Sequence, residues 1–344
     1  MNRIRFIKSG LFTTIQDKGR WGYQQFGMPV AGAMDNFASR VANLLVGNDE
    51  NEALLETTFM GPEIEFDCHE IIAITGANMK PKINGDPVAM WTSIPVSKGD
   101  KLSFESAVTG LRGYIAFSRI IKVPEIMGSK STYIRGKLGG LEGRKITNGD
   151  ELTLGEKTLS DTGTYIPKNF IPIYPKEYTL RIILGPQDDY FTEEGIQTFL
   201  NSTYKITSEA DRMGYRLDGP LITHKKGADI ISDGIVFGSV QVPGSGLPII
   251  MMSDRGTTGG YTKIATVVTP DLSILAQMAP GTTLTFEKAD VYESHKIYKE
   301  YEENISQLKD FMKNYRFEFH NNMMFNLNLL GKKYSVTVKE LIQE

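Results

Sequence analysis

Five turn signatures in the first half of this 344-residue chain recur, in the same order, in the second half. Asp35-Asn-Phe, ahead of an apolar stretch of helical spacing, finds Asp189-Tyr-Phe ahead of another. Gly61-Pro62 finds Gly219-Pro220, and Ile74-Thr75-Gly76 finds Ser232-Asp233-Gly234. Pro87-Val88 finds Pro248-Ile249, and Gly99 to Phe104 finds Gly281 to Phe286. A chain written this way is read as a duplicated scaffold, with a first domain over 1–155, a linker over 156–176 and a second domain over 177–290.

What lies between the turns sets the class. Phe37, Val41, Leu44 and Leu45 follow Asp35 at helical spacing, so a helix capped by Asp35 and ended by Gly47 is predicted. After it the apolar period drops to two over Ala53–Thr57, Glu63–Phe66, Ile71–Thr75, Lys101–Phe104 and Leu111–Ser118. Asn84-Gly85 marks a hairpin turn between Pro81–Ile83 and Val88–Trp91. Phe191–Leu200 reads as the second helix, and Leu247–Met252 and Ile264–Thr269 read as strands. The fold is therefore expected to be mainly β (α+β), with sheets or barrels rather than a bundle. The tail from 291 to 344 differs: Tyr298, Tyr301, Ile305, Leu308, Met312 and Tyr315 line one face of a helix of about six turns. It is read as a helical extension, within which Tyr334–Val338 is either a short strand or the lead into a last helix.

Composition removes whole classes of function. Acids outnumber bases 41 to 38, so there is no general basic field for nucleic acid or an anionic membrane. A single cysteine, Cys68, cannot form an internal disulfide, and no apolar run reaches the roughly 20 residues of a membrane span. A cytoplasmic protein is expected. With four histidines and no paired Cys-His spacing, no metal site is expected. Neither Gly-x-Ser-x-Gly nor a Walker A motif occurs.

Carboxylate, lysine, arginine and hydroxyl chemistry remains, and it is concentrated in a few glycine-rich stretches. Met251 to Lys263 breaks from an apolar run into Asp254, Arg255, Thr257, Thr258, Gly259, Gly260, Tyr261 and Lys263. In the duplicated reading this stretch is an insertion into the second repeat. Gln16 to Tyr23 carries Gln16, Lys18 and Arg20, and Gly128 to Arg144 carries Ser129, Ser131, Thr132 and Arg135. The latter is either an anion-binding loop or a basic turn. Ala210 to Tyr215 adds Asp211 and Arg212, neighbours that reach one site only if the strand bends there. Asp233 is a further acid. Such a set suits a small amide or carboxylate: arginine for a carboxylate, hydroxyls and backbone amides for an oxyanion, and Asp or Lys for proton transfer.

Taken together, these stretches resemble a known family. They are Gln-Asp-x-Gly-Arg-x-Gly-Tyr, Gly-Ala-Met-Asp, Gly-Ser-Lys-Ser-Thr-Tyr, Asp-Arg-Met-Gly-Tyr-Arg-Leu-x-Gly-Pro, Ser-Asp-Gly-Ile-Val-x-Gly-Ser-Val-Gln-Val-Pro and Thr-Thr-Gly-Gly-Tyr-x-Lys-Ile-Ala-Thr-Val. The family is that of the 5-oxoprolinase C subunits. It is also called the KipA-like, allophanate hydrolase subunit 2 or biotin-dependent carboxyltransferase family. The resemblance runs from about Gly10 to Phe286. It implies two tandem cyclophilin-like β-barrel domains, a KipI-like partner (the B-type component) and, for oxoprolinases, an A-type component that handles ATP. The implied reaction is ATP-dependent opening of 5-oxo-L-proline to L-glutamate. Relatives use biotin to carboxylate urea, and others antagonise an inhibitor of a sensor kinase. On this resemblance the expected catalytic residues are Asp211, Arg212, Tyr261 and Lys263. Gln16, Arg20, Ser131, Thr132, Arg135, Asp233, Thr257, Thr258, Gly259 and Gly260 are the expected substrate contacts. Two positions depart from the family pattern: Gly256 replaces a Gln and Thr262 replaces a Pro. A more mobile loop is expected from the change.

Overall fold

A computed structural model describes residues 2–157, 162–320, 324–329 and 332–337. It is mainly β, with four α-helices: α1 (Asn36–Val46), α2 (Glu193–Asn201), α3 (Thr269–Leu275) and α4 (Val291–Asn314). The chain forms two compact units. The first contains the described residues of Met1–Gly19, Asp35–Ile173 and Asn304–Glu344, and the second Arg20–Met34 and Tyr174–Glu303.

In the first unit two sheets of seven and five strands share a core of Ile4, Phe6, Ile64, Phe66, Ile72, Ile115 and Phe117. Helix α1 covers the five-stranded sheet. Asp35 accepts from Ala38 N at its start, and Gly47 closes its end in the left-handed region at φ 78°. Under it, Thr75 donates to Ala38 O at 2.7 Å, and the buried Tyr114 hydroxyl accepts from Asp35 N and donates to Glu56. The hairpin at Asn84-Gly85 forms as the pair of residues demands, with φ of 53° and 94°. Its strands are shorter than expected, Lys82–Ile83 and Asp86–Pro87.

In the second unit seven strands close a barrel. Their order is Glu177–Leu184, Lys263–Val267, Ser239–Gln241, Ile249–Met251, Gly214–Asp218, Tyr204–Ile206 and Thr283–Lys288, the last returning parallel to the first. Leu180, Ile182, Tyr215, Val240, Ile250, Ile264, Ala265 and Leu284, all fully buried, fill it. At about 25 cal/mol per Å² of apolar surface, each large side chain sealed here contributes roughly 1.5–3 kcal/mol.

Three sequence expectations change in this unit. Helix α2 starts at Glu193 rather than Phe191, because the Thr192 hydroxyl caps Gly195 N and Asp189 sits in the preceding single turn. The strand read over Ile264–Thr269 stops at Val267, and Pro270 opens α3 where a helix was not expected. The Met251–Lys263 stretch, read as a loop, contains a strand of its own, Thr258–Tyr261, paired with Asp229–Gly234, before it runs into the barrel strand Lys263–Val267. The C-terminal helix is present, with Ile305, Leu308 and Met312 buried. It ends at Asn314, and antiparallel strands Phe317–His320, Met324–Leu329 and Lys332–Thr337 follow in what was read as a helical extension, the last of them taking the strand alternative over Tyr334–Thr337. Residues 338–344 of that reading lie outside the described residues.

Candidate functional site

Two groups of the expected residues form separate clusters, one in each unit. The first is a strap, Ser129 to Thr132, pinned by a carboxylate. Asp17 follows the strand Phe12–Gln16. Its Oδ1 accepts from Ser129 Oγ at 2.7 Å, Ser131 Oγ at 2.5 Å and Gly19 N at 2.7 Å, and its Oδ2 from Lys130 N at 2.6 Å. Thr132 Oγ1 donates to Ile15 O, Gln16 Nε2 donates to Thr132 O, and Lys130 Nζ is paired with Glu52 at 2.6 Å. Ser131, Thr132 and Gln16 therefore do meet, but their donors are directed inward. The place an anion would take is held by Asp17, so these residues do not form a phosphate cradle. Asp17 is the residue sequence reading passed over. Its signal was a Gln-Asp-x-Gly turn, which reads equally well as an ordinary cap. Arg135 is exposed, away from these bonds. Arg20 belongs to the second unit, where it is fully buried and its N–H donates to Val30 O.

The second cluster is built on a two-stranded ribbon, Asp229–Gly234 with Thr258–Tyr261, in register Asp233↔Gly259 and Gly234↔Thr258. Next in the chain, Lys263 opens a barrel strand whose register partner is Gln241. Opposed residues of an antiparallel pair project to one face, so Gln241 and Lys263 share a side. The Lys263 side chain is 2% exposed. It donates to Asp233 Oδ2 at 2.6 Å and to Gly234 O at 3.0 Å. Gln187 completes the arrangement: its Nε2 donates to Asp233 at 3.2 Å and its Oε1 accepts from Lys263 N at 3.1 Å. The Lys263 hydrogen bond, with further donors from Gly234 N and Gln187, holds the Asp233 carboxyl below the usual carboxylate range. Asp233 keeps 52% of its side chain in solvent, so the pair joins a sealed cation to an accessible carboxylate.

Gly259 lies under two flexible side-chain ends. A Cβ there would stand 2.5 Å from Ile235 Cδ1 and 2.7 Å from Gln241 Nε2. Gly260 sits opposite Ile230 O and Ser232, while Thr257 O accepts from Ile235 N. Thr258 and Tyr261 are exposed on the ribbon, Tyr261 at 42%. Thr262, at the position departing from the family pattern, is fully buried and bonded to Val242 O and His224, so the loop is well tied at that point.

Asp211 and Arg212 do not converge. Asp211 is exposed, and its Oδ1 accepts from Met213 N and Gly214 N, capping its own turn. Arg212 is buried, gripping both oxygens of Asp254 at 3.0 and 2.8 Å and Gly32 O at 2.7 Å. That fork ties the Met252–Gly256 turn to the segment around Gly32, a positioning role. Sequence reading left out Gln187 and Gln241. Gln187 stands beside a Gly-Pro in an ordinary loop, and Gln241 lies within the Gly-Ser-Val-Gln-Val-Pro motif, where the register of Lys263 gives it its place.

Among the described residues no group of three or more His, Cys, Asp or Glu side chains is placed to hold a metal, and no helix is long and apolar enough to cross a membrane.

What this architecture resembles is consistent across sequence and structure. Over 307 residues the chain is 35% identical to the 5-oxoprolinase C subunit of Escherichia coli, covering 89% of this chain and 97% of that one. It is 36% identical to the 5-oxoprolinase C subunit of Haemophilus influenzae, covering 86% and 94%. The structure of urea amidolyase of K. lactis superposes with a TM-score of 0.84 at 28% identity, over 89% of this chain and 20% of that one. This chain thus corresponds to about a fifth of the amidolyase. Residues 26–288 match the family described as carboxyltransferase domain, subdomain A and B, and the chain is a member of that family.

Proposed function

We propose that this chain is one component of a multi-subunit, ATP-dependent 5-oxoprolinase that opens the lactam of 5-oxo-L-proline to give L-glutamate. The carrying observation is coverage: the chain accounts for 97% and 94% of two oxoprolinase C subunits. It accounts for only 20% of the amidolyase. The geometry agrees with amide chemistry. A sealed Lys263 ammonium offers a hydrogen-bonding cation for a carbonyl oxygen gaining charge, and the accessible Asp233 carboxylate can accept a proton. Backbone groups of Thr257–Gly260 and the Tyr261 hydroxyl border the same ribbon, whereas Ser131, Thr132 and Gln16 serve their own strap. ATP would be handled by an A-type partner, with a KipI-like B-type partner completing the assembly in the cytoplasm.

A second reading has an observation in its favour. The match to urea amidolyase extends over 89% of this chain, which supports biotin-dependent carboxyl transfer to a urea-like amide, the biotin being carried by another protein. A third, partner-binding reading, in which the chain antagonises an inhibitor of a sensor kinase, follows from the family resemblance alone.

The deciding experiment is glutamate release from 5-oxoproline by the purified candidate A-type and B-type partners with ATP, with and without this chain. A requirement for the chain is expected. Equal turnover without it would reject the oxoprolinase reading and leave biotin-dependent transfer, assayed with carboxybiotin and urea, as the next test.

A further inference from the structure

Arg255 is a buried cation without a carboxylate. It is 6% exposed. Its Nε donates to Ile235 O and its Nη1 to Met252 O, both at 3.3 Å, and the guanidinium lies 5.6 Å from the centre of the Phe237 ring. A guanidinium has five N–H donors, and bonds of this length are at the weak end of the range. Nη2 has no partner among the described residues. Asp254, its sequence neighbour, has both oxygens gripped by Arg212. Lys263 is matched with Asp233. Of these three cations, only Arg255 lacks a hydrogen-bonded counter-ion. Enclosing an ion this way is costly. Burial accordingly pushes its pKa down to about 10, opposed by Asp254.

The surroundings are short of acceptors as well. Lys263 Nζ takes Gly234 O, and Arg255 Nε takes the next carbonyl, Ile235 O. The Ile235 side chain closes over Gly259, and Gln241 Nε2, buried without a partner, faces the same glycine. Two cations and an unmet amide donor therefore gather around Gly234, Ile235 and Gly259. A surplus of donors is what an acceptor-rich ligand requires, and a planar fork is suited to a carboxylate.

We infer that Arg255 receives the carboxylate of the substrate, which makes the site selective for anionic cyclic amides, such as 5-oxoproline, over neutral ones. This rests on the oxoprolinase reading and adds the substrate's charge to it. Arg255 is a binding residue here, and the reacting amide is left to Lys263 and Asp233.

The test compares 5-oxo-L-proline with 2-pyrrolidinone, the same lactam without its carboxylate. In the full-length wild-type chain assembled with its candidate partners, the Arg255 Nε–H signal is followed by nitrogen-15 NMR. It should move with 5-oxoproline and stay still with 2-pyrrolidinone. Arg255→Lys keeps the charge but loses the fork. It should raise KM for 5-oxoproline about 10–100-fold, the range of one charge-assisted hydrogen bond, and leave the inhibition constant of 2-pyrrolidinone unchanged. Turnover of 5-oxoproline with a stationary Arg255 signal and an unaltered KM in Arg255→Lys would overturn the inference and spare the proposed reaction. A shifted signal without any turnover would reject the reaction and retain the carboxylate site. If Arg255→Lys fails to fold, the wild-type signal alone decides.

Discussion

The strap of the first unit and the ribbon of the second use similar residues to opposite ends. Both are set in glycine-rich sequence, both carry hydroxyls and a lysine, and both stand beside barrel or sheet strands. In the strap a carboxylate, Asp17, collects the donors of Ser129, Lys130 and Ser131, and the atom left unmet is an acceptor, Gln16 Oε1. Beside the ribbon the unmet buried atom is a donor, Gln241 Nε2, and Arg255 has no hydrogen-bonded carboxylate. A segment whose donors already meet an internal anion has no electrostatic use for another. A segment with surplus donors does. Residue type alone would rank the two alike; it is where each hydrogen bond ends that separates a structural clasp from a binding surface.

The sharpest way to break this contrast is at Lys263. Lys263→Met should lower turnover of the assembled complex by about 10²–10⁴-fold, the range for losing a group that polarises or transfers a proton in the transition state. The fold should survive, because Asp233 is already half in solvent and rehydrates. Thermal unfolding alongside glutamate release checks both statements. Near-normal turnover in a folded variant would move the chemistry elsewhere.

Asp17 should behave in the reverse manner. Asp17→Ala strands the hydroxyls of Ser129 and Ser131 and the N–H groups of Lys130 and Gly19. Hydrogen bonds to a charged partner are worth about 1.5–3 kcal/mol each and do not add fully, so a loss near ~3 kcal/mol in chemical denaturation is expected. Turnover per folded molecule should change little. A stable variant with impaired turnover would make the strap part of the site after all.

Gly259→Ala tests whether the ribbon sits as tightly as its geometry says. The new methyl meets Ile235 and Gln241 at 2.5 and 2.7 Å. Both are ends of flexible side chains that can swing aside, so the cost should stay at about 1 kcal/mol, the low end for overpacking, and displacement of Gln241 should weaken 5-oxoproline binding more than it lowers stability. Calorimetric titration of the complex separates the two effects.

The sequence made some of this legible and concealed the rest for identifiable reasons. Helix α1 could be read from Asp35 and Gly47 because capping is local, and the Asn84-Gly85 hairpin because its turn demands two residues tolerant of positive φ. Lys263, Asp233 and Gly259 stand out as a polar break in apolar sequence. Their association does not, because Asp233 reaches Lys263 through the register of a ribbon closed across about 30 residues. Helix α3 is hidden because Val267 and Val268 continue the strand's composition into Pro270, whose role as a helix start shows only in its backbone. Asp211 attracts notice as an acid in a family motif, yet a carboxylate two residues ahead of free N–H groups commonly caps its own turn. Gln241 carries no charge and sits in the Ser-Val-Gln-Val-Pro motif among neighbours that give it no role, so its place beside Lys263 shows only in the strand register.

The smallest expected effect concerns the accessible half of the Lys263 pair. In the folded chain the Asp233 carboxyl is held below its usual range, first by the hydrogen bond from Lys263 and then by Gly234 N and Gln187. A carboxyl with a depressed folded-state pKa contributes stability that is fully present above its unfolded value, near ~3.9. That contribution disappears as pH falls through the folded value. Exposure and salt screening keep it small. The difference in denaturation midpoint between the wild type and Asp233→Asn should therefore be flat from about pH 8 to pH 5 and shrink only below about pH 4, the region of the carboxylate's own titration. Added salt should reduce it further. A difference that instead changed between about pH 6 and pH 8, where imidazole titrates, would place another titrating group against Asp233, and the pairing of a sealed cation with a free carboxylate would have to be redrawn.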